Sequence, residues 1–584
     1  MLMAGGQLAL LGGLVSRMYY LQVVERDKYQ ALSDKNRINL RVLPPRRGLV
    51  LDRYGTPIAD NTPTYRVEIT AEQAADVDDV LQHLTELTPL TEGQAARVAT
   101  KLKHQRPFIP VVVVEELSME DISKVELNLP DLLGVSVQMD EKRDYPYGGI
   151  ASHILGYVAS PSEEDVANNP SLATPGLRNG KAGLEKQYEE LLLGEAGTAQ
   201  EEVNASGRVM RQLGRQEAKS GSNLTTTLDV RLQSFAHQRL VSQLSGAAVV
   251  LDVESGAILA MASAPGYDPS AFYHGISADY WRRLTSDEFQ PLTNKAISGQ
   301  YAPGSTFKPI TALAILKAGI DPAAEVMCSG VYTLGNAKFH CWKKGGHGRV
   351  SMVSAIQHSC DVYFYEMARR IGIDAVAEMA KRFGLGQITG VDLPSERSGL
   401  IPSTGWKRAA LGAPWQQGET LVSAIGQGYV LATPLQLATM AAQLANGGRR
   451  ITPYFVLPQE GQQANGEIGI DPRWLEIVTG GMNLVTNDRQ GTAFAARIDI
   501  PGMEMAGKSG TSQVRRISLA ERRAGVIKNE DLPWSRRDHA LFIAFAPVAA
   551  PKYACAVVVE HGGGGSAVAA PIARDILVDC QTKK

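Results

Sequence analysis

The chain opens on an unbroken apolar stretch. Met1 to Ser16 carry no charge and are mostly Leu, Ala and Gly, and the run continues to Val24 around a single Arg17. About 20 apolar residues suffice to cross a bilayer, with a lone arginine snorkelling and tyrosines such as Tyr19 and Tyr20 at the interface. Glu25-Arg-Asp-Lys28 follows instead of a small-x-small cleavage site, so the pattern predicts a membrane anchor over 1–24 and not a cleaved leader. From Glu25 to Asn39 the chain is polar and helix-compatible. Pro44-Pro45 ends any helix, Gly48 to Asp52 alternates as a strand, and Arg53-Tyr-Gly55 turns. Residues 73–105 read as mostly polar helix, Ile109 to Val114 as a strand, 160–180 as loop, and Gly183 to Leu193 as one amphipathic helix.

A polar linker over Gly214 to Asn223 separates this half from a denser, more apolar one. There, Ala247–Val253 and Ala257–Ala262 form a hairpin around Glu254-Ser-Gly256. A second hairpin joins His539–Ala546 to Tyr553–Glu560, and Ala569–Val578 closes as a helix. Strands at both ends with helices between predict an α+β domain whose antiparallel sheet joins its own termini. The chain thus divides into an anchor (1–24), a mixed α/β pedestal (25–215) and a larger domain (216–584). The pedestal contains no cluster of reactive residues and reads as scaffold or contact module.

Charge narrows the function classes. With 59 basic and 61 acidic residues the balance gives nucleic acid no foothold. Five cysteines are too few for a disulfide-stapled framework.

One stretch has the makings of a nucleophile. Tyr301-Ala-Pro-Gly-Ser305-Thr-Phe-Lys308 places a Pro-Gly turn before an apolar helix, and Ser305 and Lys308, three apart, share one helix face. An acyl-transfer serine needs a base, a proton shuttle and oxyanion donors. No Gly-x-Ser-x-Gly elbow occurs and no histidine has a telling context, so a lysine base remains, which must be neutral to act. Two later stretches can complete the site: Ser359-Cys-Asp361 at a helix start, and Ala506-Gly-Lys508-Ser-Gly-Thr-Ser-Gln-Val514, a strand of small residues. Lys219-Ser-Gly221 repeats the tripeptide within the polar linker, with no strand after it.

Cys328, Cys341, His347 and Cys360 lie close in sequence and make a closed tetrahedral zinc set of structural type. Gly345-Gly346 and Gly348 free His347 to turn inward, whereas His340 adjoins Cys341 too closely to share its metal. A Cys328–Cys341 disulfide and buried free thiols are the alternatives.

Ser305-Thr-Phe-Lys308, Ser359-Cys-Asp361 and Lys508-Ser-Gly510, in this order, resemble the three motifs of penicillin-binding proteins and serine β-lactamases. Gly426-Gln-Gly428 and Thr433-Pro434 add to the likeness, and Arg47 to Gly55 is similar to the pedestal of the monofunctional class B proteins, so the resemblance covers nearly the whole chain. It implies a transpeptidase domain on an elongated pedestal, and a D,D-transpeptidase that cross-links peptidoglycan stem peptides and is acylated by β-lactams. Ser305 would be the nucleophile, Lys308 its base and Ser359 the proton relay. Lys508, Ser509, Gly510 and Thr511 would bind substrate, with the N–H groups of Ser305 and Thr511 facing the oxyanion. Ser-x-Asp in place of the usual Ser-x-Asn resembles the elongation-specific branch. An ionised Asp361 opposes a neutral Lys308, so either Lys508 shares that charge or Asp361 takes another partner. The family implies, as partners, a membrane glycan polymerase of SEDS type and an elongation-complex scaffold protein. It also implies an inner-membrane location with the catalytic domain in the periplasm. A β-lactam sensor, a carboxypeptidase and a β-lactamase share the motifs. The size, anchor and pedestal weigh against the β-lactamase, and a single span against the sensor.

Overall fold

The computed structural model describes residues 2–20, 24, 38–105, 107, 109–173, 176–203, 209–273, 275–457, 466–515, 521 and 525–582. Its larger half is built on a five-stranded antiparallel sheet in the order Ile258–Ala264, Gly246–Asp252, Tyr553–Val559, His539–Ala546, Ala506–Ser512. The two predicted hairpins are therefore neighbours, and Gly246 of the first pairs with Val559 of the second. These strands are apolar on both sides instead of alternating because helices cover both faces. Val230–Val241 and the closing helix Ala569–Thr582 pack on one face, and Pro434–Ala445 and Pro472–Asn487 on the other.

In the pedestal, the long strand Pro57–Ile69 pairs with Val50–Leu51, Val111–Val114 and Val135–Asp144. The helices Val77–Leu87, Glu92–His104 and Met119–Asn128 close a separate small core against it around Ile69, Leu84 and Val125. Residues 73–105 thus hold two helices, split at Thr88-Pro-Leu-Thr91, where Thr91 forms a capping box with Gln94.

Several sequence expectations change. Gly183–Leu193 is two short helices, Gly183–Gln187 and Glu189–Leu193, broken at Tyr188. The Tyr188 hydroxyl donates to Asp392 at 2.8 Å, a contact across 204 positions that outweighs local helix continuity. Part of the expected linker is strand: Val209–Gln216 pairs with Gly197–Val203, which pairs with Ile38–Leu43. Residues 160–180 include the short helix Glu163–Asn168, capped by Ser162. At the N-terminus a helix covers Leu2–Tyr19, but among the described residues no helix is long and apolar enough to cross a membrane. Residues 1 and 21–23 of the expected anchor, and most of the polar segment after it, lie outside the described residues.

The pedestal also holds a charge cluster that the sequence did not announce. Arg47 pairs with Glu185 at 2.7 Å and with Glu189 at 2.5 Å, while Arg143 pairs with Glu185 at 2.7 Å. Burial alone would push Glu185 up, but Arg143 and Arg47 outweigh it and hold the carboxyl below its ordinary range. Two arginines against two glutamates leave the cluster neutral. It locks the strand leading out of Arg47 onto the helix bearing Glu185.

Candidate active site

The Pro303-Gly304 turn leads into a short 3-10 segment, Gly304–Phe307, that runs directly into the buried helix Lys308–Lys317. The turn is pressed against the edge strand Ala506–Ser512. A Cβ on Gly510 would lie 2.7 Å from the Pro303 carbonyl oxygen, and one on Gly304, whose φ is +55°, would lie 2.6 Å from that of Thr511. Only glycine fits at either place, and the contact brings the backbone of Ser305 beside that of Thr511. Gln427, between Gly426 and Gly428, donates to the Thr511 carbonyl at 2.8 Å, and Tyr301 bridges Ala432 just before Thr433-Pro434. Thr433 caps the helix that follows.

The second motif enters from the opposite side. Cys360 is the N-cap of the helix Asp361–Ile371, and Ser359 just before it has φ +54°, a left-handed conformation uncommon for a side-chain-bearing residue. Lys308 is fully buried, and its three N–H donors meet three acceptors: the Ser359 carbonyl at 2.7 Å, Asp361 Oδ1 at 2.8 Å and Ser359 Oγ at 3.2 Å. Ser305 Oγ makes no hydrogen bond among the described residues; the two residues are joined through the backbone, the Lys308 N–H donating to the Ser305 carbonyl. Asp361 does not leave Lys308 for another partner; it takes one in addition, its Oδ2 accepting the Trp342 N–H at 3.0 Å.

Lys508, equally buried, donates to Ser359 Oγ at 2.9 Å and to the Ser509 carbonyl at 3.0 Å. Ser359 Oγ is therefore shared by both lysines. Burial, helped by the nearby charge of Lys308 and opposed by Asp361, pulls Lys508 well below its ordinary range. Ser509 Oγ lies 3.3 Å from Thr492 Oγ1. Lys219 sits far from this site, in an exposed ion pair with Glu195.

The four metal-ligating candidates also converge. Cys328 ends the strand Val326–Cys328, Cys341 follows Ala337–His340, and His347 sits in a turn where Gly346 and Gly348 both have φ +74°. The donor atoms of Cys328, Cys341, His347 and Cys360 all lie within 4.8 Å of one another. His347 Nδ1 is 3.5 Å from both Cys328 Sγ and Cys341 Sγ. Tetrahedral zinc, with bonds of about 2.3 Å to sulfur and about 2.0 Å to nitrogen, would hold S and N about 3.5 Å apart. All five cysteines are free thiols, so the alternative Cys328–Cys341 disulfide is not formed. The Cys360 thiol, turned toward Cys341, draws the latter's pKa down to about 5 against the opposing effect of burial.

Sequence reasoning missed Trp342, which carries no motif of its own. It also missed Glu560, which accepts from Tyr301 OH at 2.8 Å and Ser245 Oγ at 2.5 Å at the foot of the nucleophile turn. Only their adjacency to Cys341 and to the last strand pointed that way.

Comparison with known proteins points to one family. A family model described as the penicillin binding protein transpeptidase domain matches residues 246–578, and one described as the penicillin-binding protein dimerisation domain matches 42–226. The chain is 37% identical to the peptidoglycan D,D-transpeptidase MrdA of Haemophilus influenzae, over 98% of this chain and 90% of that one. Against its counterpart in Escherichia coli K12 the identity is 35%, over 96% and 91%. Among solved structures it resembles a complex between penicillin-binding protein PBP2 and MreC from Helicobacter pylori, with TM-score 0.83 and 30% identity over 93% of this chain and 98% of that one. It also resembles Pseudomonas aeruginosa PBP2 in complex with WCK 5153, with TM-score 0.70 and 32% identity over 94% and 97%. A third likeness is to a peptidoglycan synthase complex that coordinates polymerization and crosslinking, with TM-score 0.73 and 28% identity over 100% and 98%.

Proposed function

The chain belongs to the penicillin-binding protein family and is a peptidoglycan D,D-transpeptidase; on that footing we propose that it cross-links stem peptides through an acyl-enzyme on Ser305 during wall elongation. The observation that carries this reading is the sharing of one hydroxyl, Ser359 Oγ, by two fully buried lysines beside the Ser305 turn.

Ser305 Oγ attacks the carbonyl of the penultimate D-Ala of the donor stem. Its proton goes to Lys308, which acts as base only while neutral. Ser359 Oγ, shared by both lysines, is the path along which the proton on Lys308 is moved. The N–H groups of Ser305 and Thr511 hold the oxyanion. As the tetrahedral intermediate collapses, Ser359 passes a proton to the departing D-Ala amine. Ser509 and Thr511 hydroxyls and Lys508, on the strand edge, hold the terminal carboxylate. An amine of a neighbouring stem then takes the acyl group. A β-lactam enters by the same attack and stays on Ser305. Catalytic hydrogen bonds in free enzymes are commonly open and tighten on substrate binding, which fits the open Ser305 Oγ.

Zinc belongs to this reading as a structural ion held by Cys328, Cys341, His347 and Cys360. Bound there, it would supply a closed tetrahedral centre without catalytic chemistry, and Cys360 would carry its rigidity to Ser359 and Asp361 on either side. We also read the apolar N-terminal stretch as a single-pass inner-membrane anchor, with the catalytic domain in the periplasm. A glycan polymerase and a scaffold protein are the partners, in keeping with the synthase complex and the MreC complex above.

Fluorescent penicillin should label the protein stoichiometrically and Ser305→Ala not at all. Retained labelling in that variant would overturn the nucleophile. Turnover of D-Ala-D-Ala peptides with an added amine separates a transpeptidase from a sensor that is acylated once and stops.

A further inference from the structure

Ser359 must hold its hydroxyl between two lysines from a left-handed backbone (φ +54°), a conformation that persists only where the surroundings over-determine it. Lys308 supplies one restraint, on the Ser359 carbonyl. The backbone supplies others, Ser359 N–H to Ile356 O at 3.2 Å and Cys360 N–H to Ala355 O at 2.9 Å, and a further one comes from outside the three motifs. The Trp342 indole Nε1–H is forked between two successive carbonyls of the kink, His358 O at 3.0 Å and Ser359 O at 3.1 Å. The backbone N–H of the same residue binds Asp361 Oδ2 at 3.0 Å. One residue thus grips the second motif at three points on both sides of Cys360.

The rest of the side chain says why it is there. Trp342 is 59% exposed, and its ring meets His347 only edge-on, with centroids 5.4 Å apart. A tryptophan retained for core packing would bury its ring, since apolar area left in water forgoes roughly 25 cal/mol per Å². Here the apolar part is in solvent while both N–H groups are engaged.

We propose that Trp342 is a positioning residue for the transpeptidation reaction: its indole N–H and backbone N–H fix the left-handed Ser359 turn and the free oxygen of Asp361, and so set where Ser359 Oγ meets Lys308 and Lys508. The inference rests on the transpeptidase reading and adds a fourth element to the three motifs. It assigns the loop after Cys341 a part in acylation whether or not that loop holds a metal.

The test must separate the N–H from the ring. Two variants do so: Trp342→Phe, and Trp342 replaced by benzothienylalanine, an isostere with sulfur in place of the indole N–H. Acylation of the full chain by fluorescent penicillin is followed under saturating conditions, giving the first-order acylation rate and the encounter constant separately, alongside Tm. Both variants should acylate about tenfold more slowly at saturation, the effect of losing one well-placed hydrogen bond. The encounter constant should be unchanged, and Tm should fall by at most about 2 °C for the isostere. A benzothienylalanine protein that acylates at the wild-type rate overturns the proposal, as does a loss that appears wholly in the encounter constant. If the wild type itself is not labelled, the transpeptidase reading falls and this inference with it.

Discussion

Asp361 Oδ1 lies 2.8 Å from Lys308 Nζ, and neither side chain is more than 10% exposed. Removing one partner of a buried ion pair costs about 3–5 kcal/mol, because the other charge is left in a medium that solvates it poorly. Asp361→Asn keeps one acceptor where two are needed, for Lys308 and for the Trp342 N–H. Urea unfolding should show a loss of about 3 kcal/mol for this variant. A loss under about 0.5 kcal/mol would mean that the pair is not buried as described.

Lys508 makes the opposite prediction for stability. Its folded pKa lies well below its ordinary 10.5, so below 10.5 the unfolded chain takes up a proton that the folded site resists. Its penalty on stability is fully present below the folded value and vanishes as pH rises to 10.5. Lys508→Met should therefore abolish acylation and yet raise Tm by a few degrees at pH 7, with the gain shrinking toward pH 10.5. Calorimetry across that range would refute this with a Tm below that of the wild type at pH 7.

Acid stability is governed elsewhere. His153 is buried, with Nε2 2.7 Å from the Pro291 carbonyl oxygen, and burial lowers its pKa to about 4. The folded state thus stays unprotonated between 6.5 and about 4 while the unfolded state does not, so stability is full above 6.5 and lost as pH falls to about 4. His153→Gln keeps a donor for Pro291 and removes the titration. Between those pH values the wild type should lose about 3 kcal/mol more than the variant in urea unfolding. Equal losses would remove His153 as the cause.

For the metal, elemental analysis of the purified protein should give one zinc per chain, and Cys328→Ser should give none. Chelation should lower Tm and slow acylation at Ser305, since Cys360 stands between Ser359 and Asp361. A metal-free protein with free thiols and full acylation would dismiss the site.

What could be read from the sequence was what is local or patterned. Ser305 and Lys308 were legible because turn, serine and lysine lie within one helical turn, and the catalytic sheet because its strands are buried on both faces. What escaped reading depends on partners far along the chain. The break at Tyr188 is set by Asp392, and Val209–Gln216 is a polar strand that only its pairing with Gly197–Val203 distinguishes from linker. The Arg47–Glu185–Arg143 cluster joins charges that each look like ordinary solvated surface. The partners of the Lys308 amine were hidden for a related reason: Asp361 and Ser359 lie over 50 positions on.

The pairing of Gly246 with Val559 has a consequence for how the molecule comes into being. Roughly 300 residues separate the two, so the first hairpin waits for almost the whole chain before its neighbour strand exists. The wall that carries Lys508 docks on His539–Ala546, itself among the last segments made. A ribosome that has released the Ser305 turn has therefore not yet made a reactive serine. Chains cut short before Tyr553–Val559 should be inert to penicillin, and acylation becomes a signal that this strand has been made and paired.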